Sequence, residues 1–172
     1  AAQLDANAVA AGEAVWLTSP DTGDTVSWAE AASRSREIAC QIDALGLADG
    51  APVAVAAQNS IWSTLCFTGI TTGGYLATPL NLVAGARVMS YVIEHSGAEV
   101  ILCTEDQRPL IDEALASIDR DVTIIRLDPD HGPEWPDCTA PAATPRATPG
   151  ADSAGLLMYT SGTTGNPKGV LY

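Results

Sequence analysis

The sequence has 172 residues, 47% of them apolar and 17% charged, a composition that supports a folded core and argues against a disordered segment. Eight Lys and Arg stand against 21 Asp and Glu, a formal charge of −13 with no basic run, which argues against nucleic acid as a partner because duplex binding neutralises phosphates with clustered cations. Any polyanion bound by so acidic a chain needs a local device that outweighs the global field.

The four cysteines, Cys40, Cys66, Cys103 and Cys138, stand at neither metal-ligand nor CxxC spacing. No metal site is expected, and the thiols are expected to be reduced and mostly buried in a cytoplasmic protein. The N-terminus lacks the basic and apolar regions of a secretory signal, and no stretch approaches the length of a membrane span.

In chain order, Val15–Thr18 and Thr25–Ser27 predict two short strands around the turn Ser19–Asp24. Ser27 and Glu30 form an S-x-x-E capping box that opens a helix. Its stripe is Trp28, Ala31, Ala32, Ser35, Ile38, Ala39, Ile42 and Leu45, and Gly46 stands where it should end. Val53–Ala56 is continuously apolar, as strands covered on both faces are. Asn59 or Ser60 can cap a helix over residues 61–70. Gly73–Asn81 predicts a short strand entered through glycines. Residues 84–96 read as a helix with Val88, Val92 and Ile93 inward and Gly97 as its stop. Val100–Cys103 is a strand, Thr104 and Gln107 can cap a helix to about Ser117, and Val122–Leu127 is a further strand.

Alternating strands and helices of this length predict an α/β fold: a mostly parallel sheet with helices on both faces. Residues 128–152 hold six of the eleven prolines and predict an extended surface connection rather than a packed element. Gly155–Tyr159 reads as a buried strand.

The strand runs into Thr160-Ser161-Gly162-Thr163-Thr164-Gly165-Asn166-Pro167-Lys168-Gly169. Glycines let backbone N–H groups approach an anion, hydroxyls donate to its oxygens, and Lys168 supplies a cation. Each charge-assisted contact of this kind is worth roughly 1.5–3 kcal/mol. Here is the device that the global charge requires. It is not a Walker A loop, since Pro167 precedes the lysine and Gly169 follows it.

The order Tyr-Thr-Ser-Gly-Thr-Thr-Gly-x-Pro-Lys-Gly over Tyr159–Gly169 closely resembles the phosphate loop of the adenylate-forming superfamily, which includes acyl- and aryl-CoA synthetases, peptide-synthetase adenylation domains and firefly-type luciferases. Trp28-Ala29-Glu30, Gly46-Leu47, Gly74–Asn81 and His95-Ser96-Gly97-Ala98 are similar to further segments of that family, although Val26-Ser27-Trp28 and Ala51-Pro52 depart from its usual residues. Peptide-synthetase domains usually carry Asp where Asn81 stands, so the chain is more similar to an acyl- or aryl-CoA synthetase.

The resemblance implies the first subdomain of the large N-terminal domain of an enzyme that joins a carboxylic acid to ATP, releases pyrophosphate and passes the acyl group to coenzyme A. It assigns Thr160, Ser161, Thr163, Thr164 and Lys168 to the β- and γ-phosphates, and it gives Gly162, Gly165 and Gly169 the role of permitting loop motion. Mg²⁺ would arrive with ATP. It also implies that the acid pocket, the adenine segment and the catalytic lysine follow later in such chains. No complete catalytic set is therefore expected within residues 1–172, and the chain by itself is expected to be inactive. A peptide-synthetase-type adenylation domain and a non-catalytic interaction module are the alternatives, and a homodimer is among the expected assemblies. His95 has a plain reading as a last-turn cation on a helix dipole. His131 reads as solvated, Glu105-Asp106 and Asp112-Glu113 as a helix start and a wet face, and Trp62 and Phe67 as core.

Overall fold

A computed structural model of the chain describes residues 2–136, 149–150, 152–160 and 166–172. Helix α1 (Ala2–Ala11) precedes a hairpin of β1 (Val15–Thr18) and β2 (Thr25–Ser27). The sequence predicted no element over α1, which buries none of its residues and shows no clear apolar stripe. It is held by Leu4 against the core and by an ion pair from Arg36 to Asp5.

Helix α2 (Trp28–Ala44) begins at the expected capping box. Ser27 Oγ accepts from Glu30 N–H, and a Glu30 carboxylate oxygen accepts from Ser27 N–H at 2.9 Å. Donation to the Glu30 carboxylate, first from the Ser27 backbone N–H and then from the Ser27 hydroxyl, holds that carboxyl below the usual carboxylate range. Strand β3 (Pro52–Ala56) leads into α3 (Ile61–Thr72), where Ser60 is the cap and Ser63 reciprocates. After β4 (Leu76–Pro79), Gly85 opens α4 (Ala86–Ser96) and Gly97, at φ +73°, closes it in the left-handed conformation that glycine adopts without strain. Met89 is buried in α4 where the sequence placed Val88, which is only half-buried.

Strand β5 (Val100–Cys103) and α5 (Arg108–Leu115) follow, then β6 (Thr123–Asp128). Neither expected side-chain cap forms on α5. Its cap residue, Gln107, is helical and makes no side-chain cap bond. Thr104 is buried, and its hydroxyl lies 3.3 Å from the Ala56 carbonyl, tying the end of β5 to the end of β3.

The central sheet has the order β4-β3-β5-β6-β7, parallel except for β7 (Gly132–Pro133), which pairs antiparallel with β6. The expected extended connection therefore starts as a packed return: Gly132 is buried and Trp135 packs against the core. Gly132, at φ +93°, lies so close to the Trp62 ring that a Cβ would come within 2.6 Å of it. Residues 137–148 and 151 of that segment lie outside the described residues, as does Cys138.

Strand alternation divides the core in two. Val53, Val55, Val100, Leu102, Ile125 and Leu127 face α2 and α3, whereas Ala54, Ala56, Ile101 and Cys103 face α4 and α5. The doubly covered, mostly parallel sheet is the predicted one. Tyr75, fully buried, satisfies its hydroxyl on Asp43 Oδ1 at 2.6 Å.

Candidate functional site

The chain after the proline-rich segment forms a second hairpin, β8 (Leu157–Thr160) against β9 (Lys168–Leu171). The expected buried strand is instead partly exposed, because β8 adds to the sheet through a single parallel bridge, Leu156 to Ala77. Ala77 N–H donates to Gly155 O at 3.0 Å. Val170 and Leu171, in an apolar run that reads in the sequence as an unfinished element, belong to the second strand of that hairpin.

The register decides what the hairpin presents. Thr160 pairs with Lys168, and paired residues on an antiparallel ladder project from the same face. Hydroxyl and ammonium thus stand side by side at the mouth of the turn, both exposed. Tyr159 pairs with Gly169. Gly169 is strand rather than loop, and its missing Cβ leaves room for the Tyr159 ring, whose Cε1 and Cζ would lie 3.3 Å from an added carbon. Ser161, Gly162, Thr163, Thr164 and Gly165, the remaining predicted site residues, lie outside the described residues.

Lys168 is the one lysine in the sequence. Arg34, Arg36, Arg108 and Arg126 each sit against carboxylates, Arg126 against Glu105, Asp128 and Glu134. Among the described residues Lys168 meets none, so its charge is available to an incoming anion.

Two clefts compete as ligand sites. The larger, about 880 Å³, opens where the chain turns in opposite directions after β3 and β5, the usual ligand position in open α/β sheets. Gln58, Asn59 and Ser60 line it after β3, and Thr104, Glu105 and Asp106 after β5. Asp21, Asp24 and Asp130 add to its negative charge. Hydrogen bonds, first from Thr104 and then from Gln107, hold Asp106 below the usual carboxylate range, so it is ionised near neutral pH. The Thr104 hydroxyl also lies 3.3 Å from the Ala56 carbonyl oxygen. A triphosphate would be repelled here. The smaller cleft, about 290 Å³, lies between α4 and the hairpin, with Leu80, Met89, Tyr159, Thr160 and Pro167 in its wall.

The plain readings of single residues fare unevenly. Trp62 is only half-buried; it carries the Arg34 guanidinium 5.1 Å above its ring and donates its indole N–H to Asp130 O at 2.9 Å. His131 is exposed, with its backbone N–H on Asp128 Oδ1. Asp112 pairs with Arg108. Sequence reasoning missed His95, whose Nδ1 lies 2.8 Å from the Tyr159 hydroxyl. A histidine in a last helical turn fully accounted for itself, and no local signal linked it to a residue 64 positions away. Asn81, singled out to separate enzyme classes, accepts Val83 N–H at 3.2 Å in the turn before α4, a bond that Asp would accept equally.

A doubly covered, mostly parallel sheet joined by a hydroxyl- and lysine-edged hairpin defines an α/β domain. The chain belongs to the AMP-binding enzyme family, whose model matches residues 4–172. It is 34% identical over 158 residues to the sulfoacetate–CoA ligase of Cupriavidus necator, which covers 91% of this chain and 31% of that protein. It is 30% identical over 171 residues to the phosphinothricin tripeptide synthetase PhsB of Streptomyces viridochromogenes, covering 99% of this chain and 14% of that one. The N-terminal domain of FACL13 from Mycobacterium tuberculosis superposes with a TM-score of 0.81 at 29% identity, over 98% of this chain and 42% of that one. The chain thus spans about a third of the curated CoA ligase that it matches. No helix among the described residues is long and apolar enough to cross a membrane.

Proposed function

We propose that the polypeptide carrying this chain is an ATP-dependent, AMP-forming acid–thiol ligase, with residues 1–172 as the start of its AMP-binding domain. A carboxylate oxygen attacks the α-phosphorus of ATP and pyrophosphate leaves. The thiol of coenzyme A then attacks the acyl carbonyl and AMP leaves. The chemistry requires two anions to be held together while charge grows on the departing pyrophosphate.

The observation that carries this reading is the pairing of Thr160 with Lys168, which sets a hydroxyl beside the one unopposed lysine at the mouth of the hairpin. Lys168 and Thr160, with Ser161, Thr163 and Thr164, donate to the β- and γ-phosphates. Gly162 and Gly165 let the backbone approach, and Gly169 makes room for Tyr159. Mg²⁺ enters as part of the MgATP substrate. A peptide-synthetase-type adenylation domain is the second reading, favoured by the similarity to PhsB, and it differs only in the acceptor thiol. A cytoplasmic location accompanies the proposal, supported by free thiols at Cys40, Cys66 and Cys103. Self-association is proposed through the exposed Met158, Val170, Leu171 and Tyr172.

ATP–pyrophosphate exchange by the complete natural polypeptide, over a panel of carboxylic acids, tests the ligase reading. Exchange is expected with at least one acid, and Lys168→Ala should raise the KM for MgATP by roughly 10- to 150-fold, from the worth of one charge-assisted contact. The 172-residue chain alone is expected to show none. An unchanged KM in Lys168→Ala refutes the assignment of the loop.

A further inference from the structure

The geometry points to His95 and Tyr159 as a positioning latch that fixes the phosphate-binding hairpin to helix α4, an inference that rests on the ligase reading and adds two residues to it. Four observations converge on Tyr159. It is the last residue of β8 before Thr160, the first hydroxyl of the loop. Its hydroxyl meets His95 Nδ1 at 2.8 Å, and the two rings pack edge to face with centroids 5.7 Å apart. On its far side His95 stacks with Tyr91, one helical turn earlier, at 5.3 Å. Across the hairpin, Gly169 leaves the space that the Tyr159 ring fills.

Among the described residues, the backbone joins β8 to the sheet through the short contact of Gly155 and Leu156 with Ala77, four residues or so before the loop. Beyond that contact, side-chain packing holds the end of the strand. Tyr159 supplies the second fixed point, next to the residues that are to meet phosphate. Side chains alternate along a strand, so turning Tyr159 inward to α4 turns Thr160 and its partner Lys168 outward together. Burial, and then the neighbouring Tyr91, push the Tyr159 phenol above its ordinary value, so it keeps its proton near neutral pH. The phenol O–H and the imidazole nitrogen share one hydrogen bond, whose donor is set by the histidine tautomer. The latch takes no part in bond making; it acts by presenting Thr160 and Lys168 already oriented, which lowers the ordering cost of binding.

The test titrates the complete natural polypeptide with MgATP, with inorganic triphosphate and with adenosine, in Tyr159→Phe, His95→Ala, His95→Asn, the Tyr159→Phe/His95→Ala double variant and Lys168→Ala. The latch predicts that Tyr159→Phe weakens MgATP and triphosphate roughly 2- to 10-fold for one lost hydrogen bond, that His95→Ala, which also removes the ring contacts, weakens them at least as much, and that both leave adenosine unchanged. The double variant should be no weaker than His95→Ala, since the bond lost in Tyr159→Phe is already absent there. Asparagine places a polar atom near the Nδ1 position, so His95→Asn should restore much of the affinity where His95→Ala does not. If Lys168→Ala weakens MgATP while the latch variants bind like the parent, the latch is overturned and the ligase reading stands. If Lys168→Ala also binds like the parent, both are overturned. A loss that is additive, or equal for adenosine and triphosphate, overturns the latch as well.

Discussion

Gly69 is a point of close approach between α3 and α2. A Cβ added there would lie 2.6 Å from both Cβ and Cγ2 of Ile38 and 3.1 Å from the Ser35 carbonyl oxygen. Ile38 cannot yield by rotation: its Cβ is fixed by the backbone, and a β-branched side chain in a helix has one strongly preferred rotamer. Gly69→Ala must therefore push the helices apart by about 1 Å, an overpacking that costs ~1–3 kcal/mol. Greater helix propensity offsets about 1 kcal/mol of that. Because the obstacle is rigid, the cost belongs at the upper end, and the net loss should be ~1–2 kcal/mol. With a denaturant slope of about 2 kcal/mol per molar, the urea midpoint should fall by roughly 0.5–1 M. Urea unfolding followed by circular dichroism gives the midpoint directly. An unchanged or raised midpoint would refute the close approach, since propensity alone predicts stabilisation. Ile38→Ala opens a cavity of its own, and its loss should add only in part to that of Gly69→Ala, because the double variant removes Cγ2 from the clash but keeps Cβ.

Gly132→Ala should destabilise by at least as much, since the added carbon meets the Trp62 ring at 2.6 Å in a backbone conformation that alanine avoids; Trp62 fluorescence would report the displacement. Ser27→Ala removes the α2 cap and should cost about 1 kcal/mol in the same unfolding experiment. Glu30, held below the usual carboxylate range by its bonds to Ser27, stabilises the fold above its unfolded pKa of 4.5 and loses that contribution as pH falls through its lower folded value; Glu30→Gln should remove this part of the acid dependence. Burial pushes the Cys66 thiol up to about 12 and Cys103 to about 11, so iodoacetamide at pH 8 should label Cys40 well before either, as peptide mass spectrometry would show. The same burial of Cys66 contributes stability in full below its ordinary value of 9.0, and that contribution is lost as pH rises from there toward about 12; Cys66→Ala should flatten the alkaline limb of the pH–stability curve.

Much of the fold was legible because its signals are local. The capping box Ser27–Glu30, the cap at Ser60, the stop at Gly97 and the continuous apolar runs of β3 and β5 are each written within a few residues, and each forms where its pattern lies. Where reading failed, a long-range partner had overridden the local preference. Thr104 looks like a helix cap, yet its hydroxyl is taken up beside Ala56, a residue 48 positions earlier. Proline-rich residues 128–136 look unpaired, yet β6 offers Gly132 and Pro133 an edge. α1 gave no signal because alanines in water carry no stripe.

By itself, the order of residues determined the chemistry at hand: which hydroxyls, glycines and lysine occur together, the pattern on which the proposed phosphate seat rests. Only the tertiary structure decided what surrounds its described residues. Strand order built a cleft of about 880 Å³ at the ends of β3 and β5 and lined it with carboxylates, while hairpin register brought Lys168 beside Thr160. It also set His95 against Tyr159. The physical reason is range: propensities and caps act over a few residues, whereas charge fields and ring contacts depend on distances that only the folded chain defines.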